Sequence, residues 1–226
     1  MDQLQLREEE VFKTLKKLNG LRFVVIGGYA VNSYALPRFS LDCDIVIENK
    51  KNLGNFEQSL LELGYKRTEA TKASVPGGFA RYEKRLQDSF KVSFDILIAE
   101  VFDRQTKVSI PANWIFKNSG IMMLKGKTIT EELKVRIINI DALFVMKMIS
   151  CRETDIRDLF MLALSVKYKT WIKNEISSQY DFDNRFEKVR AKITSKEFRD
   201  GLQGVYGLID SKVFEKSVEA ILSLKN

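Results

Sequence analysis

The stretch at residues 21–47 constrains the fold more than any other part of this chain. A β-branched run at residues 21–26 reaches the pair Gly27-Gly28, and a short helical period follows until Pro37 ends it. Residues 41–47 then alternate apolar and polar side chains with a period of two, which is typical of a half-buried strand. The stretch therefore predicts a strand, a tight glycine turn, a helix and a second strand.

The rest of the chain divides into two patterns near residue 137. Before it, apolar periodicity predicts helices at residues 8–17, 52–64 and 111–117, strands at 81–86 and 91–98, and a hairpin formed by 121–124 and 127–130. After it the period is helical throughout, and Thr154 or Asp155 is the expected N-cap of the second helix. We expect an α+β fold, with a mixed β-sheet flanked by helices in a domain at residues 1–136 and a helical domain at residues 137–226.

Three acids are predicted to project from the polar faces of two strands. Asp42 and Asp44 are two residues apart and share a face, and Asp95 lies on the polar face of the strand at residues 91–98. Carboxylate oxygens are preferred ligands of Mg²⁺ and Mn²⁺, and a pair of such cations can activate a hydroxyl and neutralise a triphosphate. Solvent-facing acids on an edge strand are the alternative, but charged residues are depleted in strands, which favours a metal site.

The composition excludes several kinds of catalytic site. The chain contains no histidine, so a Ser-His-Asp or Cys-His enzyme, a histidine general base and a His-ligated zinc are excluded. Its two cysteines, Cys43 and Cys151, are far apart in apolar patterns typical of core positions, so neither a disulfide nor a zinc site is predicted. Carboxylates, lysines and oxygen-ligated cations remain for the chemistry.

The charge distribution indicates the kind of partner. The net charge is +7, and residues 104–136 are strongly basic, with only Glu131 and Glu132 as acids. The basic residues of this segment are Arg104, Lys107, Lys117, Lys125, Lys127, Lys134 and Arg136. Such a segment favours a nucleotide or RNA, although a solvated basic face accounts for it equally well. The sequence shows neither a membrane span nor a signal peptide, so a cytoplasmic protein with no membrane partner is expected.

Four residues before or beside the acids have the chemistry of phosphate ligands. Gly27 and Gly28 open a helix, where backbone amides can approach phosphate oxygens closely. Arg38 and Ser40 stand just before the acidic pair and can donate hydrogen bonds to a triphosphate. These residues are therefore predicted to bind a nucleotide.

The pattern G-G-x(13)-D-x-D, followed by Asp95 in V-S-F-D-I-L-I, resembles the nucleotidyltransferase superfamily that includes DNA polymerase β. It is most similar to the AbiEii/MenT-like toxin branch. In the helical half, Lys147 in F-V-M-K-M-I-S and Arg157-Asp158-Leu159 in I-R-D-L-F are similar to the lysine and R-D-L motifs of that branch. The resemblance covers residues 21–163.

This resemblance implies a magnesium-dependent enzyme that moves an NMP from an NTP to a hydroxyl acceptor. Residues 1–136 would be the catalytic domain, the three acids would hold Mg²⁺ or Mn²⁺, and Lys147 would bind the triphosphate. Arg157 and Asp158 would position the nucleotide or brace that lysine. The implied acceptors are tRNA or another RNA, or a hydroxyl group of a protein, and a cognate antitoxin is an implied partner. The chain departs from the branch after R-D-L, where a further acid is common and Met161 and Leu162 stand here.

Other interpretations stay open. The chain can be a non-catalytic nucleotide-binding or partner-binding module of the same fold, or a nucleotidyltransferase that acts on a small molecule. Lys147 can extend to solvent, and Arg157 with Asp158 can be an ordinary ion pair or cap at the start of a helix. Arg81 and Tyr82 are interpreted as surface residues of a strand rather than as a platform for a base.

Overall fold

The computed structural model describes residues 3–68, 76–87 and 90–225, which form two compact units. The sheet unit contains the described residues up to Ser33, together with Phe39–Phe102 and Ser109–Ile138. The helical unit contains Tyr34–Arg38, Asp103–Val108 and the residues from Asn139 onward. The division of the chain into domains at residues 1–136 and 137–226 stays a prediction.

The sheet unit alternates helices and strands along the chain. Its elements are α1 (Gln3–Leu18), β1 (Val24–Val25), α2 (Gly27–Asn32), β2 (Asp42–Ile47), a 3₁₀ turn (Lys50–Asn52), α3 (Leu53–Glu62), β3 (Lys66–Arg67), β4 (Phe79–Arg85), β5 (Lys91–Ile98), β6 (Glu100–Phe102), β7 (Ser109–Pro111), α4 (Ala112–Lys117), β8 (Ser119–Leu124) and β9 (Leu133–Ile138). The glycine pair thus follows a strand and opens a helix, as the sequence predicts.

Seven of these strands form one mixed sheet in the order β3-β4-β5-β2-β1-β9-β8. The pairs β2–β5 and β1–β9 are parallel, whereas the other four pairs are antiparallel. Helix α1 packs against β5, β9 and α3, α2 packs against β2 and β8, and α4 packs against β2. The predicted α+β fold with a mixed sheet flanked by helices is therefore confirmed, and β2 and β5 lie inside the sheet with neighbours on both sides.

One predicted hairpin is partly wrong. Strand β8 includes the predicted residues 121–124, but its partner β9 begins at Leu133 and not at Lys127. The amides of Lys127 and Thr128 donate instead to the buried carboxylate of Glu8 on α1, at 2.7 and 2.8 Å. Because these amides are already bonded, residues 127–130 connect the two strands rather than extend the sheet.

The helical unit is built on a helix that is apolar on nearly all sides. Its elements are α5 (Ile140–Ser150), α6 (Glu153–Leu162), α7 (Lys169–Gln179), α8 (Phe182–Ile193), α9 (Lys196–Tyr206) and α10 (Ser211–Leu222). Helix α5 packs against α6, α7 and α8, which explains why residues all round it are buried. Asn139 caps its start by accepting a hydrogen bond from the amide of Ala142.

The predicted cap of α6 is wrong by two or three residues. The residue that precedes the helix is Arg152, and Asp155 is the third helical residue. The carboxylate of Asp155 reaches back to the amide of Arg152 at 3.2 Å. It therefore satisfies an amide at the start of the helix from inside the first turn.

In the parts of the chain that the structure describes, no helix has both the length and the apolar character that crossing a membrane requires.

Candidate active site

The three predicted acids meet at the centre of the sheet. Asp44 on β2 lies directly beside Asp95 on β5, because the parallel register pairs these two residues. Asp42 lies one step further along the same face of β2. Each of the three carboxylates offers an oxygen, and these oxygens all lie within 4.8 Å of one another. Asp44 and Asp95 are far apart in sequence, and the hydrogen bonding between β2 and β5 brings them together.

Gly27 lies against this group of acids and has no space for a side chain. A Cβ atom at this position would stand 2.1 Å from Oδ2 of Asp44, and the backbone has φ +66°. Both facts call for glycine, because a left-handed residue without Cβ is the one that fits. The amide of Ile26 also donates to the carbonyl oxygen of Asp44 at 3.0 Å. The glycine turn is thus held directly against β2 at the acid.

Arg81 on β4 contributes a positive charge to the site. The register pairs it with Asp95 across β4 and β5, so Asp44, Asp95 and Arg81 form one row over three adjacent strands. Nε of Arg81 donates to Oδ1 of Asp95 at 2.7 Å and Nη2 donates to Oδ2 at 2.6 Å. Nη2 also lies 3.6 Å from Oδ2 of Asp42. The interpretation of Arg81 as plain strand surface missed this ion pair.

Burial and charge act in opposite directions on Asp95. Its side chain is 8% exposed, and this burial raises the pKa of its carboxyl group more than the Arg81 guanidinium lowers it. The ion pair with Asp95 in turn raises the pKa of Arg81. Asp42 is more open, with a side chain that is 37% exposed. One acid of the group is therefore desolvated while another faces water.

Cys43 lies between two of the acids in sequence but on the opposite face of β2. Its side chain is fully buried in the core. Burial, followed by the nearby negative charges of Asp44 and Asp42, raises the pKa of its thiol well above the usual value. A thiol held in this protonated form is a core residue rather than a nucleophile.

The donor set fits a hard divalent cation. Three carboxylates with converging oxygens are the ligands that Mg²⁺ and Mn²⁺ prefer, and water can complete the coordination on the open side at Asp42. We find here a group of residues that can hold one or two such cations.

The helical unit contains a second cluster of charges, which includes three of the predicted nucleotide-binding residues. Lys147 on α5 lies with Nζ 2.8 Å from Oδ1 of Asp155 and 2.8 Å from Oδ2 of Asp158, both on α6. Arg38 donates to both oxygens of Asp158 at 2.7 and 2.8 Å. Ser150 donates to Asp155 at 2.7 Å. In this cluster Asp158 forms an ion pair with Lys147, and the role of the pair toward a nucleotide stays a prediction.

Mutual attraction keeps these buried groups ionised. Burial opposes the charge on Lys147, yet Asp158 and Asp155 raise the pKa of its ammonium group above the usual 10.5. Burial likewise opposes the charge on Asp158, yet Lys147 and Arg38 lower the pKa of its carboxyl group below the usual 3.8. Two cations and two carboxylates therefore balance one another within the helical unit.

The remaining predicted residues have simpler environments. Gly28 is buried as the second residue of α2, and Ser40 is half-buried in the sheet unit two residues before Asp42. Arg157 is half-buried on α6. Contact of Gly27, Gly28, Arg38, Ser40, Lys147, Arg157 and Asp158 with a nucleotide stays a prediction.

Solved structures share this fold. A protein from H. pylori that is described as a candidate nucleotidyltransferase has 17% sequence identity and a TM-score of 0.52, over 99% of this chain and 93% of its own. The crystal structure of ANT(2")-Ia in complex with adenylyl-2"-tobramycin has 13% identity and a TM-score of 0.50, over 79% of this chain and 98% of its own. No family model and no curated protein matches the chain. At these identities the likeness shows the fold of the chain, which is the nucleotidyltransferase fold.

Proposed function

We propose that this protein is a magnesium-dependent or manganese-dependent nucleotidyltransferase, which moves an NMP from an NTP to a hydroxyl acceptor. One observation carries the proposal, namely the convergence of Asp42, Asp44 and Asp95 within 4.8 Å on adjacent strands. The sequence likeness to the AbiEii/MenT-like branch and the structural likeness to nucleotidyltransferases support the same reaction. The acids lie at the centre of the sheet, so the fold holds them in place.

The residues of the site suit an in-line transfer. Divalent cations, when bound by the three acids, would neutralise the triphosphate and lower the pKa of the acceptor hydroxyl. The acceptor oxygen bonds to the α-phosphorus while the bond from that phosphorus to the bridging oxygen breaks, and pyrophosphate leaves with the electron pair. The hydroxyl proton would pass to Asp95, the buried carboxylate of the group.

The first test is transfer from labelled NTPs in the presence of Mg²⁺. We expect Asp44→Asn to abolish labelling of the acceptor and EDTA to abolish it in the wild type. Glu132→Gln changes an exposed acid elsewhere in the sheet unit and should leave the rate unchanged. Full transfer by Asp44→Asn would refute the assignment of the site.

RNA, and tRNA in particular, is the acceptor that we propose. Five basic residues of the segment at 104–136 belong to the sheet unit, and four of them are exposed: Lys117, Lys125, Lys127 and Lys134. An exposed group of cations in the unit that carries the acids suits a polyanionic acceptor. Incubation with each labelled NTP and either total RNA or total protein would identify the acceptor class by the fraction that becomes labelled.

A small molecule is the second candidate acceptor. The observation in its favour is the likeness to ANT(2")-Ia, whose structure contains adenylyl-2"-tobramycin. An aminoglycoside panel in the same labelling assay distinguishes the two, because a small-molecule enzyme would label the aminoglycoside and leave RNA unlabelled.

A role in a toxin-antitoxin pair is the remaining part of the proposal, and the R-D-L and lysine motifs support it. A toxin of this kind should arrest growth when it is expressed alone, and Asp44→Asn should relieve the arrest. The rival is a non-catalytic binding module, which would take up NTP in a calorimeter but release no pyrophosphate with any acceptor.

A further inference from the structure

The row of residues across β2, β5 and β4 places the guanidinium of Arg81 against a carboxylate that a metal ion would need as a ligand. Both oxygens of Asp95 accept hydrogen bonds from Arg81, in the two-pronged geometry that makes such pairs strong. The same guanidinium lies 3.6 Å from Asp42. Arg81 therefore contacts two of the three acids that converge at the candidate metal site.

The two partners differ in their access to water. The side chain of Asp95 is 8% exposed and that of Arg81 is 37% exposed. The backbone of Asp95 is fixed by hydrogen bonding to β2 on one side and β4 on the other. The arginine side chain is the longer and the more exposed of the two, so it has a route to solvent and can rotate away from Asp95.

A divalent cation and the guanidinium are alternative counter-charges for the same carboxylate. The carboxylate of Asp95 is buried, and a neighbouring positive charge offsets the cost of that burial. A cation at the three acids would supply that charge and would repel Arg81 at the same time. Without metal, the guanidinium of Arg81 balances the charge of Asp95. With metal bound, the cation balances it instead.

We propose that the guanidinium of Arg81 is a counter-ion that competes with the divalent cation for Asp95, so that binding of the metal releases this guanidinium from the carboxylate. This inference rests on the proposed function, because it assumes that the three acids bind a divalent cation. Arg81 is in this sense a positioning residue that sets the metal affinity of the site. It holds Asp95 in place when no metal is bound and leaves when metal arrives.

The sign of the effect on metal affinity separates this role from an ordinary structural brace. If Arg81 only held Asp95 in the correct position, its removal would loosen the ligand and weaken metal binding. If Arg81 competes with the metal, its removal frees both oxygens of Asp95 and strengthens metal binding.

Manganese binding, followed by electron paramagnetic resonance without nucleotide, provides the test. We expect Arg81→Gln to bind Mn²⁺ about tenfold more tightly than the wild type, the scale expected for removal of one neighbouring charge. Arg81→Lys, which keeps the charge but cannot bond both oxygens at once, should lie between the two. Arg85→Gln is the matched control, since Arg85 is exposed on the same face of β4, about 13 Å further along the strand.

The outcomes are distinguishable. An unchanged or weaker Mn²⁺ affinity in Arg81→Gln, with a folded protein by circular dichroism, overturns the competition while the metal site stands. Equal Mn²⁺ affinity of the wild type, Asp42→Asn and Asp44→Asn instead refutes the metal site and the proposed function with it. In transfer assays the competition also predicts that Arg81→Gln reaches half of its maximal rate at a lower Mg²⁺ concentration.

Discussion

At the scale of the single residue, the site depends on the absence of a Cβ atom at Gly27. The backbone at Gly27 is left-handed, and the space that a Cβ would need is taken by the carboxylate of Asp44. A larger residue must therefore strain its own backbone and displace a metal ligand at the same time. A substitution at Gly27 should therefore change both the stability of the fold and the geometry of the metal site.

We expect Gly27→Ala to lower the transfer rate by about 100-fold, since small displacements of reacting groups have effects of this size. The free energy of unfolding should fall by about 1 kcal/mol from the left-handed backbone alone. Gly54→Ala is the control, because an added Cβ on helix α3 meets no atom within 4 Å. It should leave the rate unchanged and stabilise the fold by about 0.5–1 kcal/mol in urea unfolding. A fully active Gly27→Ala would show that Asp44 is not held as described.

At the scale of the element, helices α5 and α6 are joined by buried charges as well as by apolar packing. Lys147 on α5 contacts Asp155 and Asp158 on α6, and Arg38 covers the second of these acids. Such clusters tolerate the loss of one member poorly, because the remaining charges stay buried without a partner.

Asp158→Asn should therefore lower the free energy of unfolding by about 3 kcal/mol, the lower end of what breaking a buried ion pair costs. Asp183→Asn provides the comparison, since the Asp183 side chain is 76% exposed and lies 3.8 Å from Lys225. Its effect should stay below about 0.5 kcal/mol. Urea titrations of both variants measure the difference, and similar midpoints would contradict a stabilising role for the cluster.

The same cluster predicts how stability depends on pH. Lys147 and Arg38 hold the pKa of Asp158 below its usual 3.8 in the folded protein. A carboxyl group of this kind stabilises the fold above its unfolded pKa, and the contribution is lost as the pH falls through the lower folded value. Urea midpoints between about pH 2 and pH 7 should therefore decline below the usual 3.8. The decline should be shallower in Asp158→Asn, and an equal slope would exclude Asp158 as its source.

At the scale of the whole molecule, the distribution of charge bears on the acceptor. If RNA is the acceptor, its KM should rise with the salt concentration. For a single strand, each phosphate that the protein neutralises should add about 0.7 to the logarithm of KM for every tenfold increase in salt. The double variant Lys125→Gln with Lys134→Gln removes two exposed cations of the sheet unit and should raise the KM for RNA but not for NTP. Lys212→Gln with Lys216→Gln on α10 makes the same charge change in the helical unit and serves as the control. Equal effects of the two pairs would contradict an RNA surface on the sheet unit.

Much of this fold is predictable from local patterns, and the exceptions have physical causes. Alternation in β2 and β5 places Asp42, Asp44 and Asp95 on polar faces, so the convergence of the acids follows once the two strands are neighbours. The contact of Arg81 with Asp95 depends on the register between β4 and β5. Alternation assigns each of these residues to a face of its strand, but it does not identify the residue that lies opposite.

The missed features share a dependence on partners that are distant in sequence. The start of β9 could not be predicted because Glu8, more than a hundred residues earlier, binds the amides of Lys127 and Thr128. Helical periodicity places Lys147 on α5 but does not choose its partners, so the pattern alone could not predict its ion pairs with Asp155 and Asp158 on α6. Tyr82 was expected at the surface, yet it is fully buried beside β5. Alternation identifies two faces of a strand, but which of them is covered depends on the packing of helices.

The row of Asp44, Asp95 and Arg81 runs across β2, β5 and β4, and backbone amides join each of these strands to a neighbouring strand on either side. Those amides should exchange with deuterium only when the sheet itself opens, so the ligand cradle is assembled during folding and not on arrival of a substrate. Heating should consequently abolish cation binding and unfold the sheet at one temperature, because the strands of the sheet themselves position the acids.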